Sequence, residues 1–538
     1  MASILIQPCD EGVIKSRPAA RPCARAAEPW ILAATILGSS MAFIDGTVVN
    51  VALPALQQNL NATVVDAQWI VESYALLLAA LLLVGGSMGD HYGRRRIFCL
   101  GAGFFALASI WCGGAPNVGQ LIVARAVQGI GGALLVPGSL AIISASFGEE
   151  RRGQAIGTWS GFTAITAAIG PVVGGWLIEH VSWRAAFFIN VPLALIVLLI
   201  SFWRVPESRD DMGKKRLDWP GSVLATVGLG AVVYGLIESS RLGFGNRAVI
   251  GALVGGAVSS AVFITVEARS HAPMLPLALF RSRNFSGANL LTLFLYSALV
   301  GAMFFVPLNL IQVQGYSATA AGAAWLPFVL IMFFLSRWSG GLVTRYGAKL
   351  PLVIGPVIAA AGFALFIIPK VGGTYWATFF PAVAVVGIGM AISVAPLTTT
   401  VMSAVAGHHA GVASGVNNAI SRTAGLLGIA VLGIVILHSY NRELDRRLAS
   451  LPIAPDARKL VDEQRARLAG VKLPDGIDDE TRSTLKKAID ESFIHGFRVV
   501  MASAVGLALA GALSAFMMIE ARRVPNAARA SNSKRNNR

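Results

Sequence analysis

Fourteen times along this chain the sequence turns apolar for roughly 20 residues, the length a helix needs to cross a bilayer core. Backbone N–H and C=O groups find no water in hydrocarbon, so each run has to satisfy itself as a helix. The runs are 30–53, 67–88, 97–114, 119–146, 154–178, 186–204, 219–238, 247–267, 286–308, 319–343, 350–370, 375–400, 411–437 and 496–519. The expected class is an all-α integral membrane protein with 14 transmembrane helices.

Charge agrees with that class. Only 13% of the 538 residues are charged, against about 25% in a soluble chain. The net charge of +16 does not point to nucleic acid, because much of the excess sits in short segments between spans. Segments on the side of the two termini hold 25 Lys and Arg, and the short loops of the other face hold 4. The positive-inside rule then puts both termini in the cytoplasm. Cys9 and Cys23 lie in the polar N-terminal tail, and Cys99 and Cys112 share one apolar run, so no disulfide framework is expected.

The chain also repeats itself. Ala126–Ala133 returns as Ala384–Ala391 with six of eight residues identical, at an offset of 258. The same offset carries Gly153, Ala155 and Gly157 onto Gly411, Ala413 and Gly415, and Gly170 onto Gly428. A nearby offset of 254 carries Gly86 and Gly93 onto Gly340 and Gly347. Spans 2, 4 and 5 therefore match spans 10, 12 and 13. Two six-helix bundles follow, 30–204 and 286–520, with spans 7 and 8 inserted between them in 205–285. Residues 1–29 and 521–538 are tails, and 440–495 is one large segment on the outer face, with Leu444, Leu448, Leu451, Leu460, Val461 and Leu468 marking partly amphipathic helices. The polar residues are not duplicated: Asp90, Arg125, Gln128 and Pro171 face Thr344, Val383, Val386 and Ile429.

Four stretches carry chemistry. After span 2, Gly86, Asp90 and Gly93 precede Arg94, Arg95 and Arg96: a carboxylate at a helix end, a glycine turn and a set of cations, which together form a conformational latch. In span 4, Arg125 and Gln128 share one helix face, and an intramembrane arginine normally faces the bundle interior. In span 5, Gly161, Gly170, Pro171, Gly174 and Gly175 combine a kink with close helix approach. Asp45 of span 1 and Glu72 of span 2 fall in the same outer half as Arg125, so the three are placed to share a polar cluster. Burial and a neighbouring cation then compete over the carboxyl proton.

The latch segment resembles the signature loop between spans 2 and 3 of the major facilitator superfamily, with Met88 and His91 as mild departures. The span-4 run and the glycine–proline run of span 5 are similar to that superfamily's span-4 motif and to the antiporter motif of its exporters. Phe43 to Pro54 resembles the span-1 signature of the 14-span drug:proton antiporters of the QacA/EmrB type. Trp183 to Pro192, Phe305 to Pro327 and Asn417 to Gly428 agree with it. The resemblance implies a proton-coupled multidrug exporter of the cell (inner) membrane, working by alternating access, driven by the proton gradient and needing no cofactor. It implies proton coupling at Asp45, Glu72 and Arg125 and a switch loop at Gly86, Asp90, Gly93, Arg94 and Arg95. Candidate cavity residues are Asn50, Tyr74, Gln128, Phe304, Asn309, Gln312 and Trp325. The implied partners are an amphipathic drug or metabolite, the bilayer and a periplasmic adaptor at 440–495. Some polyspecific relatives carry a carboxylate in span 10 or 13; here Arg337 and Arg422 are the charged residues there, which leaves an anionic or neutral substrate open. The alternatives are an exporter of one defined metabolite, lipid or siderophore, and a non-transporting membrane sensor. No P-loop sequence is present, so the chain supplies no ATPase site of its own.

Overall fold

The computed structural model describes residues 27–209, 218–270, 273, 275–405, 410–451, 455–473 and 478–521. The bulk of both tails, 1–26 and 522–538, lies outside them, as does the side chain of Arg337. Each of the fourteen expected spans is a helix. They are α1 (Glu28–Leu60), α2 (Val64–Tyr92), α3 (Arg94–Gly114), α4 (Val118–Ser146), α5 (Glu149–His180), α6 (Asn190–Arg204), α7 (Trp219–Leu242), α8 (Arg247–Arg269), α9 (Arg283–Leu308), α10 (Leu326–Gly340), α11 (Lys349–Leu365), α12 (Tyr375–Ser403), α13 (Ala410–Ala449) and α14 (Asp479–Met518). Among the described residues thirteen segments are long and apolar enough to cross a membrane, with α6 and α10 each joined to the short helix before it (Ala185–Arg204 and Ala318–Ser336), and the 17-residue α11 completes the set.

The turns between spans are written in capping residues. Thr63 and Asp66 form a reciprocal box at the start of α2, with Asp66 N donating to Thr63 Oγ1 at 3.1 Å and Thr63 N donating to Asp66 Oδ2 at 2.8 Å. Asn117, Asp218, Asn246 and Ser282 cap α4, α7, α8 and α9 more simply, each side chain accepting from one first-turn amide. Each satisfies an amide that the helix start leaves unpaired.

The duplicated sequence gives duplicated packing. In the first bundle α4 packs on α2 and α3, while α1 packs on α5 and α6. In the second, α12 packs on α10 and α11, while α9 packs on α13 and α14. The repeated glycines sit at matching contacts. A Cβ on Gly131 would lie 2.7 Å from the Phe105 amide nitrogen, and one on Gly101 would lie 3.0 Å from the Gly131 carbonyl. Their equivalents meet in the same fashion: a Cβ on Gly389 would lie 2.7 Å from the Gly355 carbonyl, and one on Gly355 would lie 2.9 Å from the Gly389 carbonyl. Lipid offers no hydrophobic drive for helices to associate, so backbone approach at small residues holds these pairs together. The turn glycines repeat too, with φ of +111° at Gly93 and +80° at Gly347.

The inserted pair is not peripheral decoration. α7 packs against both α2 and α13, along one seam between the bundles, and α8 packs on α7. Trp69 Nε1 donates to Glu238 Oε1 at 3.0 Å, and the Trp69 and Tyr234 rings lie 5.9 Å apart. α8 itself is mostly exposed; Val249, Gly256 and Glu267 are its buried residues.

The described residues of segment 440–495 form a cap continuous with the bundle. α13 runs on to Ala449 and α14 begins at Asp479, with a short helix, Pro455–Glu463, between them. Leu444, Leu448, Val461 and Leu468 are buried beneath it, whereas Leu451 and Leu460 are half-buried. Tyr440 donates to the Leu468 carbonyl at 3.1 Å, and Arg447 pairs with Glu443 and Glu491. The cap reaches the other bundle: Lys472 Nζ donates to the Gln58 carbonyl at 3.1 Å.

Candidate functional site

Asp45 lies midway along α1, fully buried. Three side chains from two other helices converge on it. Arg125 Nη1 of α4 donates to Oδ2 at 2.5 Å. Gln128 Nε2, one turn further on the same helix face, donates to Oδ1 at 2.8 Å. Asn190 Nδ2, at the start of α6, donates to Oδ1 at 3.2 Å. The donors are themselves held. Arg125 Nη1 also donates to Gln128 Oε1 at 2.6 Å, its Nε donates to the Ile70 carbonyl at 3.0 Å, and its guanidinium lies 4.3 Å from the Tyr74 ring centroid. Gln128 Nε2 also donates to Ser109 Oγ at 2.9 Å, and Ser109 donates to the Phe105 carbonyl at 2.7 Å. Such a network tolerates burial of charge because nearly every polar group in it has a partner.

A cavity of about 340 Å³ lies between the bundles beside this cluster. Asn50, Glu72, Tyr74 and Arg125 reach its wall from the first bundle, and Tyr296, Phe328 and Arg422 reach it from the second. Asp45 is not on the wall; Arg125 stands between. Glu72 is fully buried, and neither carboxyl oxygen has a hydrogen-bond partner among the described residues. The shared polar cluster expected from the sequence is therefore split. Asp45 and Arg125 are bonded together, while Glu72 faces the cavity by itself.

The other expected cavity residues divide the same way. Gln128 is committed to Asp45 behind the wall. Trp325 lines a smaller void of about 40 Å³ with Asn50 and Pro171. Phe304, Asn309 and Gln312 line neither space. Phe304 is packed in the core against Phe305. Asn309 accepts from Gln314 within a π-helical turn, Asn309–Val313, and Gln312 donates to Gln57 Oε1 at 2.8 Å. The family resemblance marked these residues for the cavity, but core packing holds Phe304 and hydrogen bonds hold Asn309 and Gln312 away from it.

In the switch loop, Arg94 Nη2 lies 2.8 Å from Asp90 Oδ1. Glu207, from the polar segment after α6, joins the loop although no motif marks it. It accepts from the Arg95 amide at 3.0 Å and the Arg96 amide at 3.2 Å, capping α3. A Cβ on Gly93 would lie 2.7 Å from its Oε1. Arg95 also donates to the Val205 carbonyl at 3.1 Å. Gly86 makes only ordinary contact with Pro137, because α2 turns Gly85 towards the Ala133 carbonyl instead.

The glycine–proline run of α5 works by close approach. A Cβ on Gly170 would lie 2.6 Å from Thr47 Oγ1, and one on Gly174 would lie 2.7 Å from Val48 Cγ2. Gly175 meets the Ala318 carbonyl, and the Pro171 carbonyl meets Gly322, so the short helix Ala318–Ala323 of the second bundle seats directly on α5. Gly161 has open space where a Cβ would go. Among the described residues five hydrogen bonds join the bundles towards the cap end: Gln312 to Gln57, Gln68 to the Ile429 carbonyl, Lys472 to the Gln58 carbonyl, and the Thr319 amide and hydroxyl to Glu179.

Two bundles of matching packing, an inter-bundle cavity and a buried charge cluster on its wall define a transporter fold. The sequence pattern of the Major Facilitator Superfamily matches residues 35–429. The tetracenomycin C resistance and export protein of Streptomyces glaucescens is 32% identical over 488 residues, covering 90% of each chain. The multidrug resistance protein Stp of Mycobacterium tuberculosis is 34% identical over 478 residues, covering 87% of this chain and 88% of its own. The crystal structure of a bacterial homologue of the human lysosomal transporter Spinster, in its inward-facing, unoccupied conformation, shares the fold with a TM-score of 0.67 at 17% identity, covering 94% of this chain and all of that one. The chain belongs to the Major Facilitator Superfamily and is a multi-pass membrane transporter, not an enzyme.

Proposed function

We propose that this protein is a drug:proton antiporter that exports small amphipathic molecules by alternating access. The observation that carries the reading is the Asp45–Arg125 pair, with Asp45 behind the cavity wall and the buried Arg125 and Glu72 among its lining residues. Protonating Asp45 removes the counter-charge of Arg125. The freed guanidinium then adds positive charge to the cavity and disfavours a basic group bound there. Proton entry and substrate release are thereby coupled, which is what exchange requires.

The bundles of this reading are residues 30–204 and 286–520, rocking against each other with α7 riding on one seam. The bonds and glycine contacts at the cap end support a state closed on that side. The excess of Lys and Arg on the other side supports cytoplasmic termini in the inner membrane, so the closed side is the outer one. The Asp90–Arg94 latch and the Glu207 cap bias the equilibrium between states. An adaptor, on this reading, meets the protein at the 440–495 cap. The resistance and export proteins to which the chain is similar support outward transport of antibiotics. One of them is named for a single compound, which keeps an exporter of one defined metabolite as the second reading.

The test is transport by purified protein in liposomes under an imposed pH gradient, with a panel of antibiotics and ethidium. Uptake that follows the gradient and collapses with a protonophore upholds the proposal, and a broad panel moved separates it from the single-metabolite reading. No gradient-driven flux for any compound sinks it.

A further inference from the structure

The cavity wall carries two ionisable side chains from opposite bundles, Glu72 on α2 and Arg422 on α13, and neither has a hydrogen-bond or ion-pair partner among the described residues. Both oxygens of Glu72 and the Nε of Arg422 are buried without a hydrogen bond among the described residues. Neither side chain forms an ion pair there, with the other or with a third group. The remaining cation of the wall, Arg125, is committed to Asp45, Gln128 and the Ile70 carbonyl. The rest of the lining offers Arg422 no counter-charge: Tyr296, Met303, Phe328, Met390 and Ile429 surround the space. Unpaired ionisable groups inside a membrane protein are costly and mark substrate or ion pathways. Buried charges are normally found with a partner.

We infer that the substrate supplies both partners. The preferred substrates are amphoteric: an acidic group seats on the Arg422 guanidinium, a basic group seats on Glu72, and an apolar ring system between them lies on Phe328 and the methionines. The planar fork of arginine suits a carboxylate, and methionine adapts to rings of varied outline. A cavity of about 340 Å³ accepts a drug-sized body. One bound molecule then bridges the two bundles. A proton on Glu72 competes with the basic group, which gives the exchange its coupling from the substrate side. The inference rests on the transport reading for its purpose, but its chemistry is a matter of binding alone.

The test measures binding to purified full-length protein in detergent, with ciprofloxacin, its methyl ester, which lacks the acid, and its N-acetyl derivative, which lacks the amine. Wild type should bind the parent about tenfold or more tightly than either derivative. Arg422→Gln should erase the preference over the ester and leave the preference over the acetyl form. Glu72→Gln should do the reverse, and Arg422→Lys should keep part of the acid preference, which separates lost charge from lost fold. A wild type that binds the ester as well as the parent, or binds none of the three, overturns the inference. So does an Arg422→Gln protein with an unchanged preference. The predicted pattern of losses upholds it even in a protein that moves nothing in liposomes, so failure here and failure of the transport reading are separate results.

Discussion

Gly322 sits against the carbonyl of Pro171 so closely that no Cβ fits between the two bundles at that point. Gly175 makes the reciprocal contact with the Ala318 carbonyl. Two backbones from different bundles thus touch at a proline-bearing helix, next to the hydrogen bonds that close the cap end.

Adding one methyl at this contact has to push the bundles apart there. Gly322→Ala and Gly175→Ala should therefore depopulate the state closed at the cap end. The reporter is a disulfide between Gln57→Cys and Gln312→Cys in a background without the native cysteines, since those side chains bond across the seam at 2.8 Å. Cross-linking should fall in both glycine variants and stay unchanged in Gly161→Ala, whose Cβ points into open space. Equal yields in all three would show that the contact does not hold the closure.

The turn into α3 makes a second prediction. Gly93 has φ of +111°, which L side chains rarely adopt, and a Cβ there would collide with Glu207. Gly93→Ala should lower stability by about 1–3 kcal/mol. Glu207→Ala removes the cap on the Arg95 and Arg96 amides and should cost about 1 kcal/mol. The double variant should lose less than the sum, because removing Glu207 relieves the collision. Thermal unfolding in detergent measures all three, and strict additivity would count against the contact.

These cases show what the sequence carried and what it could not. Span number, the two-bundle architecture and the inserted pair were legible because run length and a repeat offset are properties of the linear chain. Arg125 and Gln128 were legible as neighbours because helix spacing fixes i and i+3 on one face. Glu207 was not: it is one acid in a polar linker, and only the path of the chain brings it back to the start of α3. Asn190 and Ser109 were hidden for the same reason, since contact with the Asp45 cluster depends on how α3, α6 and α1 cross. Gly161 fits the glycine pattern of α5 but lies on a face with no neighbour. Phe304, Asn309 and Gln312 were drawn in by the family resemblance, and packing on Phe305 and bonds to Gln314 and Gln57 keep them from the cavity.

The cap gives a pH prediction. Asp478 accepts from the Thr481 amide at 2.8 Å, and the Thr481 amide and hydroxyl hold its carboxyl below the usual aspartate range. A depressed native value means the cap is fully in force above the unfolded value of about 3.9 and is lost as pH falls through the lower native one. Hydrogen exchange of the first amides of α14, corrected for intrinsic rate, should quicken only below about pH 4. Asp478→Asn, which still caps but does not titrate, should abolish that step. A step at the same pH in Asp478→Asn would assign it to another group.

The central claim is that Asp45, through Arg125, couples proton movement to export. The measurement is proton flux alongside drug flux in inverted vesicles, for wild type and Asp45→Asn inserted to equal levels. Asp45→Asn should lose gradient-driven exchange and its pH dependence while still exchanging labelled for unlabelled drug. An Asp45→Asn protein that exports against a gradient with the wild-type pH profile would contradict the account.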